Sequence, residues 1–202
     1  VPLRQRKREI NNMKELTMKL RKSLTMMGAL CLATALSGTA MMASAAEVQT
    51  KTEAAAPAQK LDLIGGKLAF TLKGYEAQPV PGGAPGTMYV NKQEKRVMIV
   101  GEEPIPAIAR ASSDADFLNG MKTIKDKQKQ ASPDYTVTSE KTEKVNGLDV
   151  YHIEATDSMG GKNVQQATLL AVANKKFTVI QVISGSKDKA GHEKAVNNIL
   201  GK

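Results

Sequence analysis

Residues Tyr135–Thr156 read YTVTSEKTEKVNGLDVYHIEAT. Two strand-length stretches, Tyr135 to Lys144 and Leu148 to Thr156, flank Val145-Asn146-Gly147. An Asn-Gly pair is the strongest short-range hairpin signal, because a two-residue turn with the twist of its strands needs left-handed backbone at both central positions. The unit built here is therefore antiparallel. Downstream, a second turn falls at Met159-Gly160-Gly161. Gln165 to Val172 and Phe177 to Ile183 then form a further hairpin around Asn174-Lys175-Lys176. Val179, Ile180, Val182 and Ile183 put apolar side chains on both faces of the last strand, as a central strand covered on both sides requires.

Upstream, Leu68, Phe70 and Leu72 alternate with Lys67, Ala69, Thr71 and Lys73, the period of a half-buried strand, with Gly65-Gly66 as the turn ahead of it. Tyr75 to Gly86 holds Pro79, Pro81 and Pro85 and three glycines, and reads as a loop. Thr87 to Val90 and Arg96 to Val100 read as strands joined by Asn91-Lys92-Gln93-Glu94, the second one stopped by Glu102-Glu103, Pro104 and Pro106. Ser113 with Asp116 matches a capping box. Phe117, Met121, Ile124 and Gln128 continue at helical spacing to about Ala131, and Pro133 closes the helix. Gly120 weakens its middle turn. Lys187 to Leu200 forms a second helix whose apolar face includes His192, Val196, Ile199 and Leu200. The order is β-β-β-α-β-β-β-β-α with six or seven strands: an α+β domain, a mostly antiparallel sheet flanked by two principal helices.

The N-terminal region has a different chemistry. From Lys19 a basic head leads into an apolar run, Leu24 to Met42, and then Ala43-Ser44-Ala45-Ala46, the charge, apolar and small-residue order of a secretory signal peptide. A run of about 19 residues is just long enough for a membrane anchor, but Gly28, Thr34, Ser37, Gly38 and Thr39 dilute it and an Ala-x-Ala site follows. Residues 1–18 are expected to be a non-native or misannotated extension, 19–46 a signal peptide and 47–60 a flexible linker, with a single domain at 61–202. Cys31, the only cysteine, follows Ala29-Leu30, and Leu30 is too bulky for an ordinary lipidation site. A soluble protein of the periplasm or secreted space is expected rather than a membrane-anchored one.

The leader also distorts the global statistics. Net charge is +9 over 202 residues, yet residues 1–46 hold eight Lys or Arg against Glu9 and Glu15, which leaves +3 for the remainder. Arg96 and Arg110 are the only arginines beyond the leader, a poor set for bidentate phosphate or base recognition. Nucleic acid is not an expected partner. Lys122, Lys125, Lys127 and Lys129 read as a solvated helix face.

Sites of chemistry are sparse. His152 and His192, the only histidines, lie in separate elements, and no cysteine remains after the leader. Each reads as an ordinary polar residue, even with Glu154 and Asp157 in the same region. Gly65-Gly66 and Gly160-Gly161 are turns, not phosphate loops. Ser158, Ser184 and Ser186 have no nucleophile-elbow context. No catalytic, cofactor-binding or metal-ligating residue is assigned, no cofactor is expected, and the chain is expected not to be an enzyme.

Six stretches, LDLIGGKLAFTLKG (61–74), MYV (88–90), RVMIVGEEP (96–104), KDKQKQASPDYTVTSEK (125–141), VNGLDVYHIEA (145–155) and VNNILGK (196–202), together resemble the DcrB-like family of periplasmic envelope proteins. The resemblance covers Leu61 to Lys202. It implies a fold similar to PsbP of photosystem II and an exported protein, in many members an inner-membrane lipoprotein, linked to phage sensitivity and envelope homeostasis. It implies no chemistry for named residues. The poor lipidation site at Leu30-Cys31 and the proline-rich insert Val80 to Pro85 depart from the family.

Two functions follow as expectations. The first is a noncatalytic interaction module that contacts an envelope protein through Glu76 to Pro85 and Glu102 to Ile108. The second is a domain that binds a small ligand or lipid in a sheet-helix gap lined by Met88, Met98 or Met121. A monomer with weak or absent membrane association is expected. Intact-mass analysis of the exported protein should give an N-terminus at Ala46 or Glu47; retention of residues 19–45 would overturn the cleaved-leader reading.

Overall fold

Local turn chemistry sets the sheet. In the computed structural model, which describes residues 56–202, Asn146 and Gly147 both take left-handed backbone, φ 49° and 78°, the pair of values that a two-residue hairpin turn needs. The strands are β1 (Gln59–Leu63), β2 (Leu68–Leu72), β3 (Glu76–Pro79), β4 (Thr87–Asn91), β5 (Arg96–Pro104), β6 (Thr136–Val145), β7 (Leu148–Met159), β8 (Lys162–Ala173) and β9 (Lys176–Gly185). The helices are α1 (Asp114–Met121), α2 (Ile124–Ala131) and α3 (Lys189–Leu200). Seven strands form one antiparallel sheet in the order β3-β4-β5-β9-β8-β7-β6, and β1 pairs with β2 in a separate hairpin. This is the α+β, mostly antiparallel architecture that the turns and periods imply.

Both faces of the sheet are covered. On one, Met98, Val100, Val150, Leu169, Ile180 and Val182 pack against Leu63, Leu68, Phe70 and Leu72 of the small hairpin and Val196, Ile199 and Leu200 of α3. On the other, Tyr151, Ile153, Leu170, Val172 and Val179 pack against Phe117, Leu118, Met121 and Ile124 of α1 and α2. Because β8 and β9 lie between the two layers, apolar residues occupy both alternating positions along them. Each fully buried Leu or Ile side chain contributes roughly 1.5–3 kcal/mol, so the double covering is the main source of stability. A third cluster, Val80, Ala84, Met88 and Ile99, lies under the proline-rich segment.

Several boundaries differ from expectation. The small hairpin opens at Gln59, within the stretch read as linker, because Gln59 pairs with Leu72 and its side chain donates to the Tyr75 carbonyl at 2.7 Å. Glu76–Pro79, read as loop, is an edge strand paired with β4; the proline at its end needs no ladder N–H there. Nine strands therefore stand where six or seven were expected. The single helix from Ser113 is two helices separated at Lys122-Thr123, where the Thr123 hydroxyl donates to the Gly120 carbonyl at 3.0 Å. The cap itself is present, with the Ser113 hydroxyl accepting from the Asp116 N–H at 3.1 Å.

Glu102 and Glu103 do not stop β5, which pairs with β9 as far as Pro104. Glu102 instead holds a turn. Ile64, fully buried, has a left-handed φ of 47°, a costly conformation for a β-branched residue. Its N–H donates to Glu102 Oε2 at 2.5 Å, and its carbonyl accepts from Asn174 Nδ2 at 2.7 Å. These two bonds, one from β5 and one from the β8–β9 turn, offset the strain and pin the β1-β2 turn to the large sheet.

Gly86 marks a second close approach. Its φ is 109°, and a Cβ there would lie 2.7 Å from the Val100 carbonyl oxygen. Gly86→Ala should therefore destabilise the fold by about 2 kcal/mol, read as a lowered midpoint in chemical denaturation with an unchanged slope. A midpoint equal to that of the wild type would show that the loop moves away from β5 at little cost.

Candidate functional site

The polar groups that the sequence scatters over five elements meet between the sheet and α3. Strand alternation puts Arg96 (β5), Ser184 (β9), His152 and Glu154 (β7) and Glu143 (β6) on the sheet face that α3 covers, and α3 contributes Asp188 as its N-cap and His192 one turn further on. Arg96 is 2% exposed. Its Nη2 donates to Asp188 Oδ2 at 2.6 Å, its Nη1 to Glu94 Oε2 and its Nε to Ser184 Oγ at 3.0 Å.

From Ser184 the chain of contacts continues without a gap. Ser184 Oγ lies 2.9 Å from His192 Nδ1, His192 Nε2 3.0 Å from Glu154 Oε2, and Glu154 Oε1 2.5 Å from His152 Nε2. His152 Nδ1 lies 3.1 Å from Glu143 Oε2. Glu143 Oε1 accepts from Lys202 at 2.6 Å and pairs with Lys141 at 3.0 Å. The proton order can be read from this geometry. Ser184 accepts from Arg96 and so can donate to His192 Nδ1, leaving His192 Nε2–H to donate to Glu154. Both nitrogens of His152 face carboxylate oxygens. Arg96, Lys141, Lys202 and the two imidazoles thus meet the carboxylates of Glu94, Glu143, Glu154 and Asp188.

The electrostatics follow from these partners. Burial alone would push Glu154 up, but hydrogen bonds from His152 and His192 prevail and hold its carboxyl down from 4.5 to about 2. Glu143 is likewise pushed up by burial and drawn down more strongly by Lys202, Lys141 and His152, also to about 2. Two depressed carboxylates make the clasp of α3 to the sheet acid-sensitive.

Chemically, Ser184, His192 and Glu154 are the residue types of a hydrolytic triad, but their setting is structural. Ser184 is 1% and His192 4% exposed, and the serine oxygen already accepts from a buried arginine, which lowers rather than raises its nucleophilicity. Among the described residues no cluster of three or more His, Cys, Asp or Glu has a geometry that could hold a metal ion. The same contacts hold α3 at both ends. Gly191 N–H donates to Asp188 at 3.1 Å, and Gly201, at φ 70°, closes the helix so that Lys202 reaches Glu143.

Sequence reasoning placed the two histidines in separate elements, as they are, but missed that one carboxylate joins them. The only available signal was the i, i+2 spacing of His152 and Glu154, which puts both on one strand face. Ser184 was likewise read without a partner. Asp157 is separate, on the opposite face, and accepts from Ser132 Oγ at 2.6 Å. The lysines of the α1–α2 region are engaged rather than merely solvated: Lys122 lies 4.6 Å over the Tyr151 ring, Lys125 donates to Glu140 at 2.5 Å and Lys129 to the Pro133 carbonyl at 2.6 Å. Met98, Met121 and Met88 fall into three different clusters, so they do not line one gap. The leader, Cys31 and most of the linker lie outside the described residues.

These features define a mostly antiparallel α+β domain clasped by a polar chain that is buried at its centre and exposed at its ends. No family model and no curated protein matches the chain. Solved structures similar to it include the cyanobacterial PsbP (CyanoP) of Synechocystis sp. PCC 6803, 12% identical, with 71% of this chain and 89% of that one covered at a TM-score of 0.49. LpqN of Mycobacterium tuberculosis, described as involved in cell envelope biogenesis, is 13% identical over 63% of this chain and 76% of that one, at 0.41. The Ran-binding protein Mog1p of Saccharomyces cerevisiae is 12% identical over 69% and 83%, at 0.43. With TM-scores below 0.5 these likenesses carry no argument about what this chain does. Among the described residues no helix is long and apolar enough to cross a membrane.

Glu154→Gln replaces an acceptor of two imidazole protons by a group that donates toward one of them. It should cost about 3 kcal/mol near neutral pH, as breaking a buried ion pair does. Each carboxylate is depressed on folding, so its stabilisation is present above 4.5 and lost as pH falls toward 2. The wild type should lose stability across that window, and the variant should lose distinctly less. Equal acid limbs in urea titrations at several pH values would refute the assignment.

Proposed function

We propose that this chain is a noncatalytic, exported protein of the cell envelope, of the DcrB-like kind, whose folded domain serves as a protein-interaction module in envelope homeostasis. The observation that carries the noncatalytic part is the Ser184–His192–Glu154 chain. These groups have the chemistry of a nucleophile and its base, yet Ser184 and His192 are buried between β9 and α3, and the polar atoms of all three are already engaged. A substrate would have to displace α3 to reach them. Export rests on the leader at 19–46, and the envelope role on the sequence resemblance over Leu61–Lys202.

The interaction surface follows from how two loops meet. Gly86 abuts Val100 and Gly101, which brings the proline-rich segment 80–86 to the end of the sheet where β5 leaves for residues 105–110. Val80, Ala84, Ile105 and Ala109 are buried anchors, so the segment is a fixed rim rather than a loose loop. Between these anchors Pro81, Gly82, Gly83, Pro85, Ala107 and Ile108 face solvent, and Ile108 is one of two large apolar residues exposed among those described. Rigid, shallow, partly apolar rims bind protein at a small entropic cost.

A photoreactive residue at Ile108 should crosslink to an envelope protein in intact cells, and the same group at Lys162, the exposed first residue of β8, should not. Equal, nonspecific labelling from both positions would reject the rim as the binding surface.

A further inference from the structure

The two edges of the large sheet are unlike. β3 is four residues long and ends in Pro79, which blunts it against pairing. β6 is ten residues long, has no proline, and is exposed from Thr136 to Thr142 on both faces. Its register against β7 breaks once, between Val137 and Ser139, and is regular from Ser139 to Val145. The midpoint of that regular stretch is Thr142.

The sequence about this midpoint is self-complementary. Two antiparallel copies of Ser139-Glu140-Lys141-Thr142-Glu143-Lys144-Val145, related by a twofold axis through Thr142, place Glu140 opposite Lys144 of the second copy, Lys141 opposite Glu143, and Thr142 opposite itself. A twofold axis normal to the sheet pairs residues of the same face, which restricts the axis to a residue position. Moving it to Lys141 sets lysine against lysine, and moving it to Glu143 sets glutamate against glutamate. Only the Thr142 register in this stretch makes every charged pair opposite in sign, and opposite-charge pairs directly across an antiparallel ladder are stabilising. Each charge also has a partner within its own chain, Glu140 with Lys125, Lys144 with Asp149 and Lys141 with Glu143, so pairing extends the contacts already made within each chain into alternating rows.

We propose that β6 is a homodimerisation edge: two copies of this chain join antiparallel about Thr142 into one fourteen-stranded sheet. The occupant is a second copy because the complementarity is of the strand to itself. The contact is small, seven residues a side, so association is weak, reversible and weakened by salt. It leaves the rim at residues 80–86 and 105–110 free, since that rim borders the β3–β5 side of the sheet.

The test is a disulfide trap in the full chain carrying Cys31→Ser. Thr142→Cys places two thiols across the twofold axis and should give a disulfide-linked dimer under mild oxidation. Thr136→Cys is equally exposed on the same strand but lies about 40 Å from its copy at roughly 3.3 Å per residue, and should stay monomeric. In sedimentation equilibrium Glu140→Lys should weaken association at least tenfold, and adding Lys144→Glu should restore it. Equal crosslinking of the two cysteine variants, or no association of the wild type at any concentration, would overturn the proposal. Failure of this test leaves the rim reading intact, because that reading is probed at Ile108.

Discussion

One carboxylate, Glu154, holds two imidazoles from different elements, and much of the architecture is organised around that contact. His152 comes from the same strand and His192 from the C-terminal helix, and both ring nitrogens approach within 3.0 Å. In a buried setting a charge without partners is very costly, whereas a fully hydrogen-bonded chain of alternating charges is tolerated and fixes geometry. The network therefore specifies where α3 lies more than it adds net stability. Apolar packing of Val196, Ile199 and Leu200 presses the helix onto the sheet; the polar chain fixes the rotation and depth at which it sits.

A second constraint of the same kind operates at the small hairpin. Ile64 is held in left-handed backbone by bonds from Glu102 and Asn174, so β1 and β2 cannot slide over the sheet without breaking both. The two pinning points lie on the same face, and together they enclose the larger apolar cluster. Among the described residues the opposite face shows no polar chain of comparable length: Phe117 packs on Phe177, at 5.4 Å between ring centroids, with aliphatic residues around them, and polar contacts such as Ser132 with Asp157 stand apart. Specificity is thus concentrated on one side of the sheet and bulk burial is shared by both.

The fold class was legible because its signals are local. Asn146-Gly147, the alternation at Leu68, Phe70 and Leu72, and the Ser113 cap each act within a few residues, and each stands where expected. What was not legible depended on a partner far along the chain. Gln59 and Glu76 become strand residues only because β2 and β4 are there to pair with them. Glu102 reads as a strand terminator until Ile64, 38 residues earlier, offers it an N–H. The candidate site was the least legible part, since Glu154 and His192 are 38 residues apart and Arg96 and Asp188 are 92 apart, with no motif spacing to join them.

By itself the sequence determined the hairpins, the antiparallel sheet, the doubly apolar central strand and the uneven distribution of charge and sulfur between leader and domain. These depend on backbone sterics and side-chain period, which are properties of neighbouring residues. Only the tertiary structure decided that two histidines share a carboxylate, that a serine with a histidine neighbour is sealed from solvent, and that β6 is a sheet edge. Those outcomes depend on which distant segments the buried surface brings together, and burial is a property of the whole chain.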